Sequence, residues 1–187
     1  PPLPLHAPRS LPASPLAYEY YLRANQASRA VNGMTFDSAV IAQDLYLRAI
    51  DADPKYAPAW ARLARIYRVM GKYRPEDAAA NLARADEAVQ HFRQALKLNP
   101  QFLDAAANCG RLLLDLSRHA EALECLDLAV RLNPNSAALY QMRGVCLSAV
   151  KRFEEAGVDY EKSIALDPSQ AETHNNLGLL HWRLGRS

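Results

Sequence analysis

Residues 103–134, LDAAANCGRLLLDLSRHAEALECLDLAVRLNP, and residues 137–168, AALYQMRGVCLSAVKRFEEAGVDYEKSIALDP, decide the reading, because they are two copies of one pattern laid end to end. Both close on proline, and Pro100, Pro134 and Pro168 recur at an interval of 34 residues. Gly110, Gly144 and Gly178 keep the same step, as do Ala88, Ala122 and Ala156, and likewise Phe92, Leu126 and Tyr160. Four columns in one register mark a repeat of two helices per unit. Small residues, Gly110 on a first helix and Ala122 on a second, mark where helices touch closely. The prolines follow LNP, LNP and LDP, where Asn or Asp ends a helix and Pro prevents its continuation. Gly71 and Gly185 occupy the turn inside a hairpin, where Ser117 and Lys151 stand in other units.

The columns resemble the tetratricopeptide family, whose pattern runs aromatic, Leu, Gly or Ala, aromatic, then Ala, aromatic, Ala, Pro. Trp60, Leu63, Ala64 and Tyr67, followed by Ala88, Phe92, Ala95 and Pro100, match it throughout. The resemblance implies an all-α fold, an α-α superhelix of about four and a half helical hairpins. It covers roughly residues 17–187, with units near 17–54, 57–100, 103–134 and 137–168, and a half repeat at 171–187 acting as a cap. Residues 1–16, with six of the twelve prolines, read as a semi-rigid linker.

Two units depart from the pattern. The step from Ala64 to Gly110 is 46, so twelve residues are added; they lengthen the second helix of its unit, which starts at Pro75 near Glu76 and projects on the order of 18 Å past its neighbours. Ala24 to Ala42 spans 18 where regular units have 12, the excess falling in a loop around VNGMTFDS that is expected to meet the projecting helix. In the half repeat, Leu177 and Leu180 are expected to lose part of the surface they normally bury, which would allow homo-oligomers to form through the terminal repeat.

Bulk properties narrow the function classes. A net charge of +2 on 187 residues is too mild for a nucleic-acid binder. No apolar run is long enough for a membrane span, and the start is not a signal peptide. The chain reads as a cytoplasmic piece of something longer, since it lacks an initiator Met and stops inside a repeat. Cys109, Cys125 and Cys146, odd in number and without CxxC spacing, read as reduced core residues. His174 and His181 stand in the columns of Trp60 and Tyr67, as packed or half-buried imidazoles rather than a metal pair. No phosphate loop, zinc helix or nucleophile elbow occurs, so no catalytic residue, metal or cofactor is expected.

The resemblance implies a protein–protein interaction scaffold that takes a peptide or protein along its concave side, lined by first helices. Exposed first-helix positions there are Asn25, Arg62, Arg65, Asn108, Arg111, Gln141, Asn175, Asn176 and Arg183. Their fork-like donors and amides suit an acidic segment. The family's two-carboxylate clamp wants lysines where Tyr21, Ala61 and Ala107 stand, so a chaperone-tail adaptor is not expected. A further likeness, carried by AYEYYLRANQ and LYLRAIDADPKYAPAWARLARIYR, is to repeat regions of bacterial signalling proteins with serine/threonine kinase or nucleotide-cyclase domains. It implies the alternative of a regulatory or self-associating tail of such an enzyme.

Overall fold

The computed structural model describes residues 11–29, 35–70 and 78–185. All regular structure among them is α-helical: α1 (Pro15–Ala27), α2 (Phe36–Ala52), α3 (Ala57–Met70), α4 (Ala78–Leu98), α5 (Leu103–Asp115), α6 (His119–Leu132), α7 (Ala137–Ala149), α8 (Phe153–Leu166) and α9 (Ala171–Arg183). They fall into two compact units, one through Pro100 and one from Gln101. The first holds the hairpins α1/α2 and α3/α4, and the second holds α5/α6, α7/α8 and the single helix α9.

Each boundary has a local cause. Ser14 caps α1 by accepting from the Ala17 N–H at 3.3 Å, with Pro15 at the first turn, so the helix begins inside the proline-rich lead. Thr35 and Ser38 bond reciprocally at the start of α2. Before three of the repeat prolines, the preceding residue turns its side chain onto the next loop: Asp53 accepts from the Lys55 N–H, Asn133 from that of Asn135 and Asp167 from that of Ser169. That is why Asn or Asp precedes proline in this chain. Asp53 also accepts the Ala13 N–H at 2.8 Å, pinning the end of the lead to the turn between α2 and α3.

The turns inside two hairpins use a left-handed residue without being glycine: Ser117 at φ 58° and Lys151 at φ 64°, as Gly185 does at φ 67° after α9. The N–H of Arg118 returns to the Leu113 carbonyl at 2.8 Å and that of Arg152 to the Leu147 carbonyl at 2.9 Å, closing the preceding helices. Arg118 and Arg152 then grip Glu121 and Glu155 with two bonds each at the starts of α6 and α8. The other turn glycine, Gly71, and the loop at 31–34 lie outside the described residues, as do Pro75 and Glu76. Within the described residues α4 runs 21 residues, against 14 for α6 and for α8.

Inside the hairpins α5/α6 and α7/α8, facing side chains are 16 residues apart. Gly110 meets Leu126 and Gly144 meets Tyr160 so closely that a Cβ at either glycine would stand 2.6 Å from the opposing side chain. The close approach foreseen at Gly110 is therefore made against Leu126, while Ala122 is fully buried nearby in sequence. Tyr46, Phe92 and Tyr160 are buried in their shared column, as are Leu63, Ile66 and Leu113, each worth about 1.5–3 kcal/mol of apolar burial. Gly178 has nothing within 4 Å.

The last helix corrects one expectation. Leu180 is only 4% exposed and reaches toward Gly157 of α8, and Leu177 is half-buried. The large apolar residues left open on α9 are instead Leu179 and Trp182, 57% and 82% exposed. His174, expected to be packed or half-buried, is exposed. Its ring nitrogen meets the Pro168 carbonyl at 3.0 Å, just as the Trp60 indole N–H donates to the Pro54 carbonyl at 2.9 Å. Trp60 and His174 thus both make a ring-to-carbonyl bond six residues back, which an exposed imidazole can make.

Candidate functional site

In the first unit, α1 and α3 present their polar sides to a cleft of about 240 Å³ whose lining includes Asn25 of α1, Ser28 and Arg29 just after it, and Arg62, Arg65 and Ile66 from α3. Tyr46 of α2, 1% exposed, contributes to the same wall. Its hydroxyl donates to the Asn25 Oδ1 at 2.8 Å, and the Ser28 hydroxyl donates to the Asn25 backbone carbonyl at 3.0 Å. With Oδ1 already taken, the Nδ2 hydrogens are the part of the Asn25 amide that remains for another acceptor.

The electrostatics of this cleft are one-sided. Three guanidiniums line it and no carboxylate does. Among the described residues no ion pair engages Arg29, Arg62 or Arg65, whereas Arg23 and Arg48 pair with Glu19 and Asp44 on their own helices. Burial pushes the Tyr46 phenol up from its ordinary range, outweighing the opposite pull of Ser28, Arg62 and Arg65, so it stays a neutral donor. The arrangement offers positive charge, planar forks and amide hydrogens, and it lacks a nucleophile paired with a base.

Aromatic rings pack together within the same unit. Tyr21 packs edge-on against Tyr56, with ring centres 5.1 Å apart, and lies 5.9 Å from Tyr46. His91 of α4 sits between Trp60 and Tyr67 at 5.3 and 5.2 Å, and burial lowers its pKa. Gln43 donates to the Tyr67 hydroxyl at 2.9 Å.

Of the nine positions read from the sequence, the structure gathers Asn25, Arg62 and Arg65 around this cleft. The other six belong to the second unit. Asn108 turns its amide back onto the Asp104 carbonyl of its own helix at 2.7 Å. Arg111 and Asn175 are exposed, and Gln141 and Asn176 are half-buried. Arg183 lays its guanidinium over the Phe153 ring at 5.5 Å.

Sequence columns missed Arg29 and Ser28, which reach the cleft from just beyond the end of α1. They also missed Arg143, which occupies the column of Leu63, Cys109 and Leu177. Arg143 bonds Asp159 through Nε and Nη2, both at 2.7 Å, and Asp127 through Nη1 at 2.9 Å, with its charge over the Tyr140 ring at 5.6 Å. These contacts hold its pKa above the usual guanidinium range, the Asp159 hydrogen bonds being the main cause. Because Asp159 is 3% exposed, this ion pair belongs to the packing of α7 against α8.

Among the described residues, no cluster of three or more His, Cys, Asp or Glu stands close enough to hold a metal ion, and no helix is long and apolar enough to cross a membrane. Family models described as tetratricopeptide repeat match residues 45–90 and 82–145, and one described as TPR repeat matches 151–185. A curated relative, DnaJ homolog subfamily C member 7 homolog of Dictyostelium discoideum, is 26% identical over 136 residues, or 71% of this chain. The chain spans 25% of that relative's length. Among solved structures, MamA from Desulfovibrio magneticus RS-1 superposes with a TM-score of 0.75 at 21% identity, over 92% of this chain and 88% of its own. YrrB, described as a TPR protein with an unusual peptide-binding site, gives 0.75 at 25% identity over 91% and 78%. The first TPR of Spaghetti (RPAP3), bound to an HSP90 peptide SRMEEVD, gives 0.54 at 25% identity over 67% and 95%.

Proposed function

Because the chain belongs to the tetratricopeptide-repeat family, we propose that it is a protein-interaction module that takes an acidic peptide segment at the cleft of Asn25, Arg29, Arg62 and Arg65. The observation that carries this is the excess of positive charge: three guanidiniums line one cleft with no carboxylate among its lining residues. Like charges gathered without a counter-charge repel one another, and an incoming carboxylate relieves that repulsion while filling the forks two bonds at a time. The Asn25 amide hydrogens, held in place by Tyr46, suit the carbonyl of an extended peptide. Peptide binding by YrrB and by the RPAP3 repeat is consistent with such a role on this fold. Nothing in the cleft is arranged to activate a nucleophile or shuttle a proton, so the reading is recognition rather than catalysis.

A fluorescent peptide rich in Asp and Glu, titrated into the 187-residue chain, tests the idea directly. Charge-assisted bonds are worth about 1.5–3 kcal/mol each, so Arg62→Ala with Arg65→Ala should weaken binding roughly 100-fold or more. Arg131→Ala, which removes an exposed charge in the second unit, should leave the affinity within about twofold once the change in net charge is allowed for. Equal binding by the double variant, or equal binding of the same peptide with Asn and Gln in place of Asp and Glu, would overturn the assignment.

A further inference from the structure

All three cysteines are buried, but only two of them meet. The sulfur of Cys125 on α6 lies 3.0 Å from that of Cys109 on α5. The two are 16 residues apart, the same spacing that brings Arg143 onto Asp159 at 2.7 Å in the next hairpin. Gly110, adjacent to Cys109, admits Leu126, adjacent to Cys125, at a distance where a Cβ would collide, so the two helices approach closely beside the thiols.

We propose that Cys109 and Cys125 form an oxidation site, at which a peroxide joins them in a reversible disulfide across α5 and α6. A disulfide needs sulfurs at about 2.05 Å, so the two must approach by about 1 Å more for the bond to form. Cys125 is 8% exposed while Cys109 and Cys146 are at 0%, which makes Cys125 the thiol that peroxide reaches first. Its thiolate attacks one oxygen of hydrogen peroxide; the O–O bond breaks, and the departing hydroxide takes up the thiol proton as water, leaving a sulfenic acid. The Cys109 thiolate then attacks the Cys125 sulfur, the S–O bond breaks, and the second hydroxide leaves as water with the Cys109 proton. Two thiols and one peroxide give one disulfide and two waters. The bond closes the turn at Ser117 inside a covalent loop, so that α5 and α6 can no longer separate.

Cys146 is a built-in control. It sits alone on α7 with Lys162 at the facing spacing, and burial pushes its thiol up to about 11. The folded chain is treated with hydrogen peroxide, quenched, alkylated after unfolding, digested and weighed. The expected result is a mass lower by two hydrogens, a cross-linked peptide pair holding Cys109 and Cys125, reversal by dithiothreitol, and an upward shift of the melting temperature in the oxidised form. The Cys146→Ser chain should do the same, and Cys109→Ala should halt at a sulfenic acid on Cys125 that dimedone traps. The proposal falls if both thiols remain alkylatable after peroxide, if the bond forms only in denaturant, or if it uses Cys146 or a second chain.

Discussion

Substituting Arg143 by Leu should cost far more than its place on an amphipathic repeat suggests. Its two 2.7 Å bonds satisfy Asp159, whose side chain is 4% exposed, and no other basic group bonds that carboxylate among the described residues. Removing one partner of a buried pair leaves an uncompensated charge and costs about 3–5 kcal/mol. The bond to Asp127 adds little, because that side chain is 46% exposed and such pairs contribute about 0–1 kcal/mol. Changing Asp159 to Leu as well removes the stranded charge, and replacing a buried ion pair by apolar groups is about neutral. The neighbouring hairpin already fills the equivalent positions with the uncharged Cys109 and Cys125. The expected ordering is therefore a loss of about 3–4 kcal/mol for Arg143→Leu, roughly a 150-fold or larger shift in the unfolding equilibrium, and within about 1 kcal/mol of wild type for Arg143→Leu with Asp159→Leu. Urea unfolding followed by circular dichroism, with hydrogen exchange read at α7 and α8 amides, measures both. If the single variant lost less than about 1 kcal/mol, or the double variant were as unstable as the single, the buried pair would not be what holds α7 on α8.

Two glycine substitutions should have opposite signs. Gly144→Ala puts a Cβ 2.6 Å from Tyr160 and should cost about 1–3 kcal/mol in thermal or urea unfolding, whereas Gly178→Ala meets nothing and should gain about 0.5–1 kcal/mol. The His91 imidazole, held neutral by burial between Trp60 and Tyr67, has a folded pKa below its ordinary 6.5. Its contribution is complete above that value and is lost as pH falls through the lowered folded value, because the unfolded chain binds the proton first. Melting temperatures recorded on the acid side of neutrality should fall for wild type and fall less steeply for His91→Phe.

The fold was legible because repeats advertise themselves by comparison of position i with i+34. Pro100, Pro134 and Pro168, the small residues and the buried Phe92, Leu126 and Tyr160 column repeat in type because they repeat in role. The same comparison is blind to what faces what. In α5/α6 and α7/α8 facing partners sit at i and i+16, and their chemistry changes from one hairpin to the next: a thiol pair at Cys109 and Cys125, an ion pair at Arg143 and Asp159, Gly110 against Leu126. Leu180 was misjudged for a related reason: whether its side chain finds cover depends on α8, on the space that Gly157 leaves. At the cleft, the first-helix register led to Asn25, Arg62 and Arg65, but Ser28 and Arg29 lie beyond the last residue of α1, where helical periodicity stops being a guide.

The 16-residue spacing between facing partners has a kinetic consequence. In α5/α6 and α7/α8 the facing contacts close loops of the same short length, so the entropy of closure hardly distinguishes these two hairpins from each other. Contacts this local favour fast folding, and the order in which hairpins form is left to how well each interior fits. On that basis α5/α6, whose apolar Cys109, Leu113 and Leu126 need no charge to be stripped of water, should zip before α7/α8, which must bring Arg143 and Asp159 out of water together.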